Sequence, residues 1–317
     1  MIKTGAVLPV RKFHTRVLLP LMIICAVSAC VTKPDPVSRD YAALLFEEGG
    51  IYMQLKPRSD KQLTYGMLTA AGMDSGSMAE ILERTDEVFA FYTFGEKGLS
   101  FIILGQGSYP DAAAAISLRG SKEWERVKGK YSWWSNIDAP LKLSFVDNDL
   151  VCISNGNMEE ILRRIYTGPA KNIPEEVKLQ LNMSAMGIYA SRPDFPSGQL
   201  RIFGELESFW MTFQSDSSQE QEGDGKYLID AEYVCVNQSA ARSLYLLLRL
   251  NLLSAQKDAK STINLAALKE KDPVKISAEK VILEDYPISI QRINWFFDIA
   301  LPFVDPIVNG GKQAEED

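Results

Sequence analysis

Residues whose types could support chemistry are sparse in this chain. Its one histidine, His14, stands near the start, and its four cysteines, Cys25, Cys30, Cys152 and Cys235, show no C-x-x-C spacing. Glu205 and Glu207 alternate onto one face of an expected strand, as a glycosidase pair could, yet solvated side chains on a β face account for them better. Gly105-Gln106-Gly107 follows an expected strand and precedes a helix, as a phosphate-binding turn would. Pro110 stands where the third glycine belongs and no acidic residue closes a second strand, so an ordinary strand-to-helix turn is expected. Asp216, Glu220, Glu222 and Asp224 fall in a Ser/Gln/Gly-rich hairpin tip without calcium-loop spacing. No catalytic residue, metal site or cofactor follows from these residues.

The first thirty residues carry more information. Lys3, Arg11, Lys12 and Arg16, with no acid among them, lead into the apolar run Val17 to Ala26. That is the layout of an export signal. The run is about half the roughly 20 residues needed to span a bilayer. Val27-Ser28-Ala29-Cys30 follows, an aliphatic residue, two small residues and a cysteine. This resembles the lipobox of bacterial lipoproteins. The resemblance implies cleavage after residue 29 and acylation of Cys30, with residues 30–40, Pro34 and Pro36 among them, as an extended tether. Several acyl chains on one residue make a durable anchor where one chain is marginal. Val31, rather than aspartate, after the cysteine resembles the outer-membrane sorting pattern of two-membrane bacteria.

Cleavage removes four basic residues and no acid, leaving 288 of the 317 residues and turning the formal charge from −7 to −11. An acidic body repels phosphate backbones, so nucleic acid is not an expected partner and a polybasic patch is not the means of attachment. His14 leaves with the signal. A Ser-His-Asp triad, a Cys-His protease and an H-E-x-x-H zinc site are then excluded, and enzymes built on carboxylates or lysine remain. Cys152 and Cys235 lie within apolar runs that read as buried strands. They could pair in an exported protein or stand unpaired in the core, the reading preferred here.

With 46% hydrophobic and 24% charged residues the chain has the make-up of a folded protein. Glu87–Phe94 and Leu99–Leu104 read as a hairpin, as do Leu141–Phe145 with Leu150–Ser154 and Leu200–Phe213 with Tyr227–Val236. Ala112–Leu118, opened by Ser108 and Asp111 with Pro110 in its first turn, Met158–Tyr166, capped by Asn157, Ala240–Ser254, capped by Ser239, and Ile288–Leu301 read as helices. Val274–Leu283 reads as extended. The order of elements in residues 41–170 recurs in 171–310, ahead of a polar tail at 311–317. The expected fold is therefore α+β: two related halves of antiparallel sheet backed by amphipathic helices, alike through an internal duplication or through chance similarity of two α+β halves.

The helix Ala240–Ser254 holds eight residues of leucine or tyrosine and leaves little polar surface beyond Arg242 and Arg249. A surface helix needs only an apolar face of about 100°. Core packing accounts for such all-round apolarity as readily as lipid contact does. Leu244, Leu247 and Leu248 here, and Trp295, Phe296 and Phe297 in the last helix, are the expected lipid or membrane contacts. Trp133 and Trp134, beside Tyr131 in an expected loop, are the expected contacts for a protein partner. In outline the body resembles spirochaete outer-membrane-associated lipoproteins. That resemblance implies amphipathic helices that enter the bilayer and a cavity that holds lipid. The expected function is non-enzymatic membrane interaction or lipid binding at the cell envelope, in the outer membrane where there are two. An envelope scaffold or assembly factor is the alternative, and a carboxylate hydrolase a third.

Overall fold

The strongest local signal, apolar residues alternating with polar ones, resolves into twelve strands. The computed structural model describes residues 40–70, 82–95, 98–168, 173–193, 205–216, 226–258, 272–290 and 293. Among these the strands are β1 (Ile51–Leu55), β2 (Thr85–Gly95), β3 (Gly98–Gly107), β4 (Trp124–Lys128), β5 (Ser132–Asn136), β6 (Lys142–Asp147), β7 (Leu150–Ser154), β8 (Met186–Ser191), β9 (Leu206–Ser215), β10 (Lys226–Cys235), β11 (Val274–Ser277) and β12 (Lys280–Ser289). All belong to one antiparallel sheet, in the order 11-12-10-9-8-1-2-3-7-6-5-4. The helices are α1 (Tyr41–Leu45), α2 (Lys61–Ala70), α3 (Asp111–Gly120), α4 (Met158–Thr167), α5 (Glu175–Met183) and α6 (Gln238–Asp258).

The strand order repeats about the β1–β8 pair. From the centre outward one side runs 1-2-3-7-6 and the other 8-9-10-12-11, with a helix after the third strand of each, α3 and α6. The hairpin β4–β5 extends the first side alone. Tyr52 of β1 lies opposite Tyr189 of β8, and Met53 opposite Ile188. The two halves thus share a single sheet rather than building one each.

The two faces of that sheet carry separate clusters, each drawing mostly on one half. Tyr52, Phe89, Leu104 and Cys152 pack with Met158, Ile161, Leu162 and Ile165 of α4, and with residues of α1 and α5. Ile188, Phe209, Ala231 and Tyr233 pack with Ala240, Ala241 and Leu244 of α6 and Leu63 of α2. Ile188 and Tyr189 are chain neighbours in one strand yet belong to different clusters, so side-chain alternation sets the clusters on opposite faces.

Local chemistry sets the helix ends. The Asn157 side chain accepts from the Glu160 amide at the start of α4, Glu159 and Glu160 occupy the first turn, and the buried residues recur at helical spacing. Asp60 Oδ1 accepts the Leu63 amide at 2.8 Å at the start of α2 and the buried Tyr227 hydroxyl at 2.9 Å, tying α2 to β10. Where the chain enters the body, Lys178 of α5 donates to Asp40 at 2.8 Å, and Arg164 of α4 pairs with Glu47 and donates to the Leu44 carbonyl at 2.9 Å. Asp40 beside it raises the Lys178 pKa, against the smaller opposing effect of desolvation.

Several sequence expectations need correction. Trp133 and Trp134 lie in β5, not in a loop. Asn237 caps α6 instead of Ser239, accepting the Ala240 amide at 2.9 Å. Pro110 precedes α3, which has no side-chain cap. Val274–Leu283 bends into the β11–β12 hairpin through Ala278, whose φ is +53°. Ile288 belongs to β12, not to the expected last helix, and most of that helix's expected length lies outside the described residues.

Gly105 and Gly107 form the end of β3 instead of a turn. A Cβ on Gly105 would lie 2.7 Å from the Tyr109 hydroxyl, and one on Gly107 would fall on the Arg84 carbonyl, with Thr85 Cα at 2.9 Å. Close backbone approach, and not phosphate binding, calls for glycine here. Gly107→Ala is expected to cost about 1–3 kcal/mol because backbone cannot yield as a side-chain tip can. Chemical denaturation checks this, with Gly120→Ala, where a Cβ meets nothing within 4 Å, as the near-neutral control.

Candidate functional site

α6 lies along β10, β11 and β12. Its N-terminal turns bury Ala240, Ala241 and Leu244, the last only 4% exposed, while Tyr245 and Leu248 pack at the margin of the same cluster. The outer face mixes exposed Arg242, Ser243 and Arg249 with exposed leucines. Leu246 is 58% exposed and Leu250, one turn later, 63%. Leu247 is half-buried between the two faces. Arg249 stands beside this pair, its guanidinium 5.4 Å from the Tyr245 ring centroid, donating to the Tyr245 hydroxyl at 3.0 Å and pairing with Asp272 at 3.2 Å. Two exposed leucines at (i, i+4) with a cation alongside form an apolar ridge that water solvates poorly.

Of the residues expected to contact lipid, Leu244 therefore points into the core, Leu248 lies at its edge and Leu247 lies partly outward. Leu246 and Leu250 are the outward pair. The leucine run marked the helix, but a helix apolar all round does not show which stripe faces the sheet. Trp295, Phe296 and Phe297, and Cys30 with its tether, lie outside the described residues.

The comparisons bear on this arrangement of a helix-backed antiparallel sheet. A family model described as "Outer membrane-associated lipoprotein TP0453" matches residues 40–294. The chain belongs to this family. Membership makes it a lipoprotein of the cell envelope, associated with the outer membrane. Three crystal structures of TP0453, forms III, IV and I, each superpose with a TM-score of 0.55. They are 14%, 15% and 15% identical over 84%, 84% and 83% of this chain and 98%, 97% and 98% of theirs. At that identity the likeness establishes a shared α+β fold. No curated protein matches the sequence.

Within this family fold Trp133 and Trp134 both belong to the sheet. Trp134 is 5% exposed and Trp133 packs against the cluster under α4. Tyr131 stacks on Tyr166 with ring centroids 5.1 Å apart, so the aromatic group is joined to α4. Glu205 and Glu207 are both exposed, at the start of β9. Cys152 and Cys235 are free and buried, one in each cluster, hence on opposite faces of the sheet. Burial pushes the Cys152 thiol up to about 12. It raises Cys235 too, with a smaller contribution from the Glu205 charge. Among the described residues no helix is long and apolar enough to cross a membrane, and no cluster of three or more His, Cys, Asp or Glu could hold a metal.

Proposed function

We propose that this lipoprotein acts without catalysis, as a membrane-contacting or lipid-binding body held at the envelope by acyl chains on Cys30. The exposed Leu246–Leu250 ridge on α6 carries the reading. Leucines left in water over half their surface lose roughly 25 cal/mol of stabilisation for every Å² of apolar area, which a lipid surface would recover. The proposed contacts are Leu246, Leu250 and the half-buried Leu247 on α6, together with Trp295, Phe296 and Phe297. The sorting pattern at Cys30-Val31 supports the outer membrane as the anchored surface. A scaffold role through the Trp133–Trp134 face loses support from the burial of Trp134.

The test is flotation of the soluble Cys30→Ser protein with phosphatidylcholine vesicles. The wild-type ridge is expected to float a measurable fraction, and Leu246→Ser with Leu250→Ser to reduce partitioning by roughly 10-fold or more, given the apolar area removed. Both positions are exposed, so the fold should persist, as circular dichroism would show. Equal flotation of both proteins, or none of either, would contradict contact through α6.

A further inference from the structure

A second surface, remote in sequence from α6, has the make-up of a ligand site. Between the N-terminus of α4 and the β2–β3 hairpin lies a cleft of about 200 Å³. It is lined by apolar Phe91, Ile102 and Ile161 and by polar or charged Thr93, Ser100, Glu47, Glu160 and Arg164. Thr93 and Ser100 are direct cross-strand partners, so their hydroxyls lie side by side.

The cleft is held open by a specific device. The β3–β7 ladder ends at Ile102 and Ser154. Beyond it the Asn155 side chain takes the place of the next peptide, accepting the Phe101 amide at 2.9 Å and donating to the Leu99 carbonyl at 2.8 Å. Ser154 Oγ donates to the Phe101 carbonyl at 2.6 Å and accepts the Gly156 amide at 2.9 Å, while Lys142 Nζ donates to the Gly156 carbonyl at 2.6 Å. With β3 satisfied by side chains, the main chain is free to turn away into α4, leaving a fixed polar wall. Glycine at 156 keeps that wall clear: a Cβ there would lie 3.3 Å from Ser154 Oγ, 3.6 Å from Ser100 Oγ and 3.7 Å from Ile161 Cδ1.

We propose that this cleft binds one neutral sugar ring. Arg164 is paired with Glu47, and the Lys142 ammonium at the Gly156 carbonyl is matched in charge by Glu160, so the cleft carries no net charge to draw an ion. Paired hydroxyls, carboxylates and a guanidinium offer both donors and acceptors to ring hydroxyls, while the apolar lining residues suit the C–H face of the ring. The volume lies below the roughly 300–1,000 Å³ of clefts for drug-sized ligands, which fits a single ring. The ring belongs either to a free saccharide or to one unit of a glycan chain.

Saturation-transfer NMR on the purified lipoprotein, in a detergent without a sugar headgroup, tests this with methyl α-glucopyranoside, N-acetylglucosamine and chitotetraose. Saturable binding of at least one probe is expected. Gly156→Val should abolish it by filling the cleft, and Ser100→Ala or Thr93→Val should weaken it by about 2- to 12-fold per lost hydrogen bond. Should Gly156→Val unfold, the two hydroxyl variants decide, since both side chains are only partly buried. Binding of the monosaccharides identifies a free sugar as a sufficient ligand, and binding of chitotetraose alone identifies a chain. No saturable binding of any probe, equal binding by the hydroxyl variants, or competition by inorganic phosphate would overturn the proposal.

Discussion

Cys30→Ser is expected to move the protein from the membrane fraction into the aqueous phase. Each buried CH2 of an acyl chain contributes about 0.8 kcal/mol, one chain gives marginal and reversible attachment, and two or more on one residue hold durably. The mature body has a formal charge of −11 once residues 1–29 are removed. With Cys30 acylated as proposed, it would gain nothing from anionic headgroups and would depend on those chains. The proposed contact through Leu246 and Leu250 on α6 would be weak by comparison, so the variant should float only in part and only with excess lipid. Phase separation in detergent measures the difference. Wild type should enter the detergent phase, and the variant should remain largely in water.

A second large effect is expected at the thiols. The Cys152 pKa stands at about 12, so near pH 8 its thiolate is about 1,000-fold scarcer than for a thiol of ordinary pKa. Only the thiolate reacts, and burial in the cluster blocks approach as well, the Cys152 Sγ lying 3.8 Å from Met158 Sδ. The sign is plain: burial penalises the charged form, raises the pKa and slows alkylation. Cys235 is buried under the opposite face and shares that protection. Native protein should show no rapidly reacting thiol, and denatured protein without reductant should show two. Denatured protein that shows none would reveal a disulfide and contradict the placement of the two sulfurs on opposite faces.

The legible part of the fold is the part governed by local period. The alternation in β2, β3 and β10, and the (i, i+3, i+4) spacing of Met158, Ile161, Leu162 and Ile165, follow from the sequence because each element places its own apolar residues on one side. β5 escaped notice because consecutive tryptophans do not alternate with polar residues, and only the structure shows them on two faces. The helix α5 carried a usable signal, Pro174 followed by Glu175 and Glu176 at its start. Pairing of β1 with β8 joins opposite halves of the chain, and no local pattern encodes it. The recurrence of order was visible in sequence, yet its consequence, one shared sheet with opposite faces buried, was not.

The same limit applies to the candidate site. α6 was marked by composition alone, and the inward turn of Leu244 against the outward turn of Leu246 and Leu250 depends on how the helix rotates over β10, β11 and β12. The cleft beside α4 had no motif at all. Its residues come from the segment before β1, the β2–β3 hairpin and α4, and only the sheet brings Glu47, Ser100 and Arg164 together.

The central claim is covalent attachment of lipid at a new amino terminus. Mass spectrometry of the amino-terminal peptide, from protein extracted out of native membranes, tests it most directly. The account predicts a peptide that begins at Cys30 and carries fatty acyl groups. A mature chain that begins at another residue, or a Cys30 without acyl groups, would contradict it.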